Sequence, residues 1–295
     1  MELRKLIPAL PLTLLLAVSG CTADPEPEPQ PTAEQELRLA TENTGMYRAL
    51  GAVYAAELEE QGYRVSVLEP VNNPVAQLLD GHADLAIGSG TEYLQTLSDD
   101  PEATTDEVLS REEIASLLAE SEETEFAAVE ISPGDMGQLL VMSAAQMTLT
   151  EVSNLQELLN ACADLEFAAL PAAQSALKNA LEQAQCEPTQ VLTDQATDPA
   201  ELLRRGEVQA AVLSGTRALI NDEGFVPVPD SAALFPSEPV LGFLAAQSEP
   251  QVMNTVAEVT AALNNETLTA VNRLVEDPDP AAPEDVARHW QWLSQ

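Results

Sequence analysis

Few residues in this 295-residue chain could do covalent chemistry, and their spacing does not suit it. His82 falls where a helix should turn into a strand, and His289 lies in the last helical stretch, so neither pairs with a nucleophile in any known order. CxxC and HxxxH spacings are absent, as are a nucleophile elbow and a glycine-rich phosphate loop, so no catalytic residue, metal or cofactor is expected. Carboxylates are so abundant, 49 Asp and Glu, that a pair of them singles out nothing. What remains is reversible recognition by hydroxyls, amides and backbone groups gathered where short apolar runs end. Asn43, Thr44 and Tyr47 follow the first such run, Asn72 and Asn73 the second, and Ser89, Gly90, Thr91 and Tyr93 the third. Asp135 and Gln138, then Thr193, Ser214, Thr216 and Arg217, hold comparable places further on. Open α/β sheets bind ligands at the carboxyl ends of their strands, which makes these the candidate ligand-binding residues.

Several have a second reading. Asn43, Thr44, Asn72 and Asn73 could simply cap the helices that follow. Asp135 either neutralises a cationic ligand or sits between two lobes. Arg217 either grips a carboxylate or is a surface residue. Tyr54 shares a helical face with Tyr47 and is expected in the core. One of Trp290 and Trp292 should dock the last helix.

The elements that must position these residues alternate. Leu37 to Ala40 reads as a strand and Met46 to Gln61 as a helix, closed by Gly62. Tyr63 to Leu68 is a strand, Asn72 to Leu79 a helix closed by Gly81, and Asp84 to Ile87 a strand. This β-α-β-α-β order calls for a parallel sheet covered by helices. A helical patch near Glu112 to Leu118 lies in the acidic stretch from Asp99 to Glu125. After Ile131-Ser132-Pro133-Gly134 a second α/β unit follows, with strands at Gln138 to Met142, Glu166 to Ala169, Thr189 to Leu192 and Val208 to Leu213. Its helices are expected at Asn154 to Ala161, Ala172 to Gln185 and Asp198 to Arg204. The tail is helical over Gln251 to Leu263, Glu266 to Val275 and Pro283 to Leu293. The fold class is therefore α/β with two lobes.

The formal charge of -37 argues against a nucleic-acid partner, since phosphates need Lys and Arg. The acids are spread along the chain, as in a solvated acidic surface. At the N-terminus, Arg4 and Lys5 precede an apolar run from Leu6 to Val18 that is too short to span a bilayer. Val18-Ser19-Gly20-Cys21 resembles the lipobox of bacterial lipoproteins, which makes residues 1–21 a signal peptide with Cys21 as the lipidated residue. Residues 22–35, rich in Pro and Glu, read as a disordered linker. The protein is thus expected outside the cytoplasm, anchored to the cell membrane by lipid. Cys162 and Cys186 are then the remaining thiols in an oxidising setting, and a Cys162–Cys186 disulfide is expected, the alternative being two free buried cysteines.

Leu37 to Gly90 resembles the opening of the glycine betaine/choline-type (OpuAC-like) substrate-binding proteins of ABC importers. Gly81-His82-Ala83-Asp84-Leu85 stands where that family has a gly-x-x-asp-leu step into a strand. Ile131-Ser132-Pro133-Gly134-Asp135 is similar to its crossing into the second lobe. Pro199 to Leu213 resembles its helix, Gly-acid and strand element, and Leu263 to Asn272 with Pro283 to Leu293 its C-terminal helices. The resemblance implies a two-lobed type II periplasmic binding protein that closes by a hinge, with lobe one at 36–131 plus 235–295 and lobe two at 132–234. It also implies a monomer, no enzyme activity, and delivery of an osmoprotectant-like solute of the glycine betaine, choline or carnitine class to an ABC permease. Quaternary ammonium ligands are held by aromatic faces, but aromatics make up only 4% of this chain. A polar pocket is the literal reading of these loops, which leaves open a divergent polar ligand, or a sensing or interaction role without transport.

Overall fold

The computed structural model describes residues 36–97, 108–120, 126–193, 197–245, 247–276 and 279–294. Cys21, the signal and the linker lie outside the described residues. The chain opens with β1 (Glu36–Thr41), α1 (Gly45–Glu60), β2 (Arg64–Val67), α2 (Pro74–Leu79), β3 (Leu85–Ser89), α3 (Gly90–Leu97), α4 (Arg111–Glu120) and β4 (Phe126–Asp135). It continues with β5 (Gln138–Ser143), α5 (Ala144–Thr150), α6 (Leu155–Ala161), β6 (Glu166–Ala168), α7 (Pro171–Gln183), β7 (Gln190–Leu192), α8 (Pro199–Arg205), β8 (Ala210–Ser214), α9 (Ala218–Asp222) and β9 (Phe225–Pro227). It then returns through β10 (Pro239–Ala245) and ends in α10 (Pro250–Ala262), α11 (Asn265–Val275) and α12 (Pro283–Leu293).

Two five-stranded mixed sheets result, ordered β2-β1-β3-β10-β4 and β7-β6-β8-β5-β9. In the first, β1 pairs parallel with β2 and β3, while β10 runs antiparallel to both β3 and β4. In the second, β6 pairs parallel with β7 and β8, and β5 is antiparallel to β8 and β9. Each sheet carries apolar clusters on both faces, as expected of strands covered by helices.

One local device recurs in both lobes. Gly81 and Gly206 end α2 and α8 in the left-handed region, at φ 71° and 70°, a conformation open to glycine at little cost. Three residues later a side chain turns back onto the neighbouring strand. The Asp84 carboxylate accepts the Arg38 backbone N–H at 2.9 Å, and Gln209 Oε1 accepts that of Glu166 at 2.8 Å. The Gly-x-x-Asp step is thus a register pin between strands.

The helix α1 begins at Thr44, whose hydroxyl accepts the Tyr47 N–H, and it buries Leu50, Val53, Tyr54 and Leu58 completely. Gly51 lets it approach the sheet, because a Cβ there would stand 2.4 Å from Thr41 Cγ2. Tyr54 is a core residue whose hydroxyl meets Thr260 Oγ1 at 2.7 Å. Trp290, 5% exposed, belongs to the same cluster, whereas Trp292 is 80% exposed.

The structure differs from the sequence reading at β10, which lies between β3 and β4 although no strand was expected there. Its Pro239 and Gly242 disguise a fully apolar segment as loop. Gly242 is tolerated because α10 presses on it: a Cβ there would come within 2.4 Å of Val256 Cγ1. Likewise α3, α5, α9 and β9 are elements that short, mixed sequences did not announce.

Cys162 and Cys186 are joined, with Cα atoms 5.7 Å apart and a sequence separation of 24. They tie the end of α6 to the residues after α7 inside the second lobe's core. Native protein without reductant is expected to label at neither cysteine, and reduction to cost about 3 kcal/mol by the loop-entropy argument. Thiol labelling with urea unfolding checks this, and two reactive thiols in the oxidised protein would refute it.

Candidate functional site

The two lobes are linked by neighbouring strands of chain at 135–138 and 235–239. Their hydrogen bonds converge on Asp135. Its Oδ1 accepts the N–H of Gly137 at 2.7 Å and of Glu238 at 2.8 Å, and its Oδ2 pairs with the Ser237 hydroxyl. Met136 N–H donates to Glu238 O at 3.0 Å. A bulge precedes the crossing: Ile131 pairs with Leu241 and Asp135 with Pro239, so Ser132-Pro133-Gly134 faces Val240 alone. The buried Ser132 hydroxyl supplies the missing partners. It accepts the Val240 N–H at 2.9 Å and donates to Gly134 O at 2.7 Å.

Beside this crossing lies a cavity of about 440 Å³. The first lobe contributes Glu42 after β1, Tyr47 from α1, Asn72 before α2, Ser89 from β3, and Thr91, Glu92 and Gln95 from α3. Met136, Gln138 and Glu238 enter from the crossings, and Ser214 from the end of β8. The wall therefore comes from both lobes at strand ends, as the α/β rule requires.

Its electrostatics are one-sided. Burial pushes Glu92 up to about 8, helped by the Glu42 charge, against a backbone hydrogen bond from Ser89 that lowers it. Burial likewise pushes Glu238 up to about 7, with the Ser89 and Thr91 hydroxyls lowering it and the Asp135 and Glu42 charges raising it. Burial also raises Glu42. Tyr47 is raised well above its ordinary value by burial and then by Glu238, Glu42 and Glu92, which places its hydroxyl among three carboxylates. Gly88 makes room for Glu92, since a Cβ there would stand 2.7 Å from Oε2. No Lys, Arg or His is among the described lining residues.

Of the candidates read from sequence, Tyr47, Asn72, Ser89, Thr91, Gln138 and Ser214 meet in this cavity. The others are placed elsewhere. Thr44 and Asn73 cap α1 and α2, Asn73 at 2.8 Å from the Ala76 N–H. Asn43 is exposed, and its backbone N–H bonds Val71 O at 3.0 Å. Gly90 packs against Ile114, with a Cβ there only 2.6 Å from Cγ2. Tyr93 stacks on Phe243 in the core at 4.7 Å between ring centroids. Asp135 holds the crossing, as described. Thr193 is half-buried outside the cavity wall, and Thr216 is buried beneath it with its hydroxyl 3.2 Å from Ser214 Oγ. Arg217 is engaged by protein carboxylates, bidentate to Asp198 at 2.8 and 2.5 Å and bonded to Glu276 at 3.0 Å, so its fork is already filled. The sequence reading missed Glu42, Glu92, Gln95, Met136 and Glu238. Three of them adjoin named candidates, Glu42 beside Asn43, Glu92 beside Thr91 and Met136 beside Asp135, but the chain's acidity hid the two glutamates.

Two α/β lobes, joined by adjacent crossings with a polar cavity at the junction, define a type II periplasmic binding protein. Residues 35–291 match the substrate binding domain of the ABC-type glycine betaine transport system, and the chain belongs to that family of ABC-importer solute-binding proteins. The family binds and delivers solutes outside the cytoplasmic membrane, and it does not catalyse. No curated protein matches the chain. Among solved structures, a glycine betaine/carnitine/choline ABC transporter protein aligns with a TM-score of 0.71 at 11% identity, covering 89% of this chain and 100% of its own. Apo YehZ from Escherichia coli aligns at 0.64 and 14% identity, covering 88% and 98%. Lactococcal OpuAC, closed on glycine betaine, aligns at 0.56 and 11% identity, also covering 88% and 98%. At these identities the likeness is one of fold. No helix among the described residues is long and apolar enough to cross a membrane.

Proposed function

We propose that this protein captures a small organic cation in the inter-lobe cavity and presents it to an ABC permease as a monomer anchored by lipid on Cys21. The two lobes part where β4 ends at Asp135, and they close on the solute by bending at the crossings there. The observation that carries the reading is the cavity wall: Glu42, Glu92 and Glu238 among hydroxyls and amides, with no basic residue among the described lining residues. A family described by its glycine betaine transport system, with a structural neighbour described as a glycine betaine/carnitine/choline ABC transporter, supplies the context. A lipid tether followed by a Pro/Glu linker would hold the domain near its permease and raise its effective concentration there.

Thermal unfolding against a panel of quaternary amines, other organic cations, ectoine and neutral amino acids tests this. A cationic ligand at about 100 times its dissociation constant should add about 2.7 kcal/mol, a rise of a few degrees. A shift with neutral solutes alone would refute the cationic reading. The anchor has its own readout: the mature chain should begin at an acylated Cys21 by mass spectrometry, and Cys21→Ser should leave the membrane fraction. Membrane retention of that variant would refute lipid attachment at this residue.

A further inference from the structure

The cavity's chemistry narrows the class of solute, a step that presupposes solute capture in this cleft. A quaternary ammonium has no N–H to donate and is held by aromatic faces, commonly several. Here Tyr47 is the one aromatic residue among the described lining residues. A zwitterion such as a betaine also needs a partner for its own carboxylate, and no Lys, Arg or His is among the described lining residues to supply one. The wall is instead rich in acceptors, and one of them is vacant: Glu92 Oε1 has no solvent exposure and no hydrogen-bond partner. An acidic surface elsewhere on this chain is explained by solvation. A carboxyl withdrawn from water without a donor is costly to ionise, so the unliganded group keeps its proton and an arriving cation would let it ionise.

We infer that the cleft takes an organic amine that carries ammonium N–H donors and no carboxylate, the simplest case being a short aliphatic diamine. One ammonium would donate to Glu92 and the other to Glu42 or Glu238, with the Ser89, Thr91 and Gln138 polar atoms filling the remaining valences. Charge-assisted N–H···O bonds of this kind are about twice as strong as neutral ones. A cavity of about 440 Å³ is within the usual range for small ligands.

Isothermal titration of the full chain in detergent with 1,4-diaminobutane, choline and glycine betaine decides the matter. The diamine is expected to bind at least roughly tenfold more tightly than choline, a gap of one decade in dissociation constant. Glu92→Gln and Glu238→Gln should each weaken the diamine more than they weaken choline. Tighter binding of choline or glycine betaine would overturn this inference while leaving the solute-binding reading intact. Binding of none of the three would overturn the inference and count against the cationic reading as well.

Discussion

Between pH 5 and pH 8 the unliganded protein is expected to lose several kcal/mol of stability, and Glu92→Gln should remove much of that loss. Glu92 and Glu238 are held at about 8 and about 7 in the fold, chiefly by burial, against an ordinary glutamate value of about 4.3. Above about pH 4.3 the unfolded chain has released these protons and the folded chain has kept them. Their contribution is therefore fully present below that pH and is lost progressively until the folded groups ionise. Each group contributes a slope of about 1.4 kcal/mol per pH unit within its own window. Asp84 and Asp222, lowered by bonds from Arg38 and Arg273, act in the opposite sense, but only below the ordinary aspartate range. The groups facing Glu92 are Glu42, Glu238 and Tyr47, all of one sign or neutral, so removing one charge also relieves its neighbours. At pH 8 the Glu92→Gln variant should be more stable by about 2–4 kcal/mol, and at pH 5 nearly unchanged. Urea unfolding at the two pH values measures this. Parallel pH curves for the two proteins would show that Glu92 is ionised at no cost and that the cavity is wetter than its geometry indicates. A bound cation should flatten the wild-type curve in the same way, since it stabilises the ionised carboxylates.

Some of this was legible in the sequence. The β-α-β-α-β opening was readable because α1 carries Leu50, Tyr54 and Leu58 at helical spacing between apolar runs closed by Gly62 and Gly81. Ile131-Ser132-Pro133-Gly134-Asp135, which resembles the family's crossing into the second lobe, forms the bulged end of β4 within the first sheet, and the chain crosses directly after it at 135–138. Strand ends supplied half of the wall, Tyr47, Ser89, Thr91 and Ser214 among them. What the sequence hid depends on long-range pairing. β10 reaches its place only by pairing with β3 and β4, segments more than a hundred residues upstream, and its Pro and Gly argue locally against a strand. Glu92 and Glu238 are distinguished from the other carboxylates by burial alone, and burial is not a local property. Tyr93 shows the converse. It sits one residue from Glu92, yet the turn of α3 sends its ring onto Phe243 and the carboxylate into the cavity.

Asp135→Ala is expected to cost about 3 kcal/mol and to loosen the two lobes, with Asp135→Asn costing much less. The alanine removes the common acceptor of the Gly137 and Glu238 N–H groups and the partner of the Ser237 hydroxyl, and hydrogen bonds to charged groups are worth about 1.5–3 kcal/mol each before the shortfall from additivity. The bonds from Ser237 and Glu238 join one lobe crossing to the other, so their loss frees the crossings to move independently. Asparagine keeps Oδ1 for both N–H groups, and its amide can donate to the Ser237 hydroxyl where Oδ2 formerly accepted from it. The two substitutions also share an electrostatic gain, because the Asp135 charge is one of the forces raising Glu238. Removing it should ease the ionisation of Glu238 and make the penalty smaller at pH 8 than at pH 5. Urea unfolding at both pH values gives the energies, and small-angle scattering gives the lobe separation. An alanine variant with unchanged stability and radius of gyration would mean that the backbone pairing of Met136 with Glu238 suffices to hold the crossings. A loss equal at both pH values would separate the hinge from the cavity, whereas the expected inequality ties the stiffness of the crossing to the charge state of the glutamate that lines the solute site.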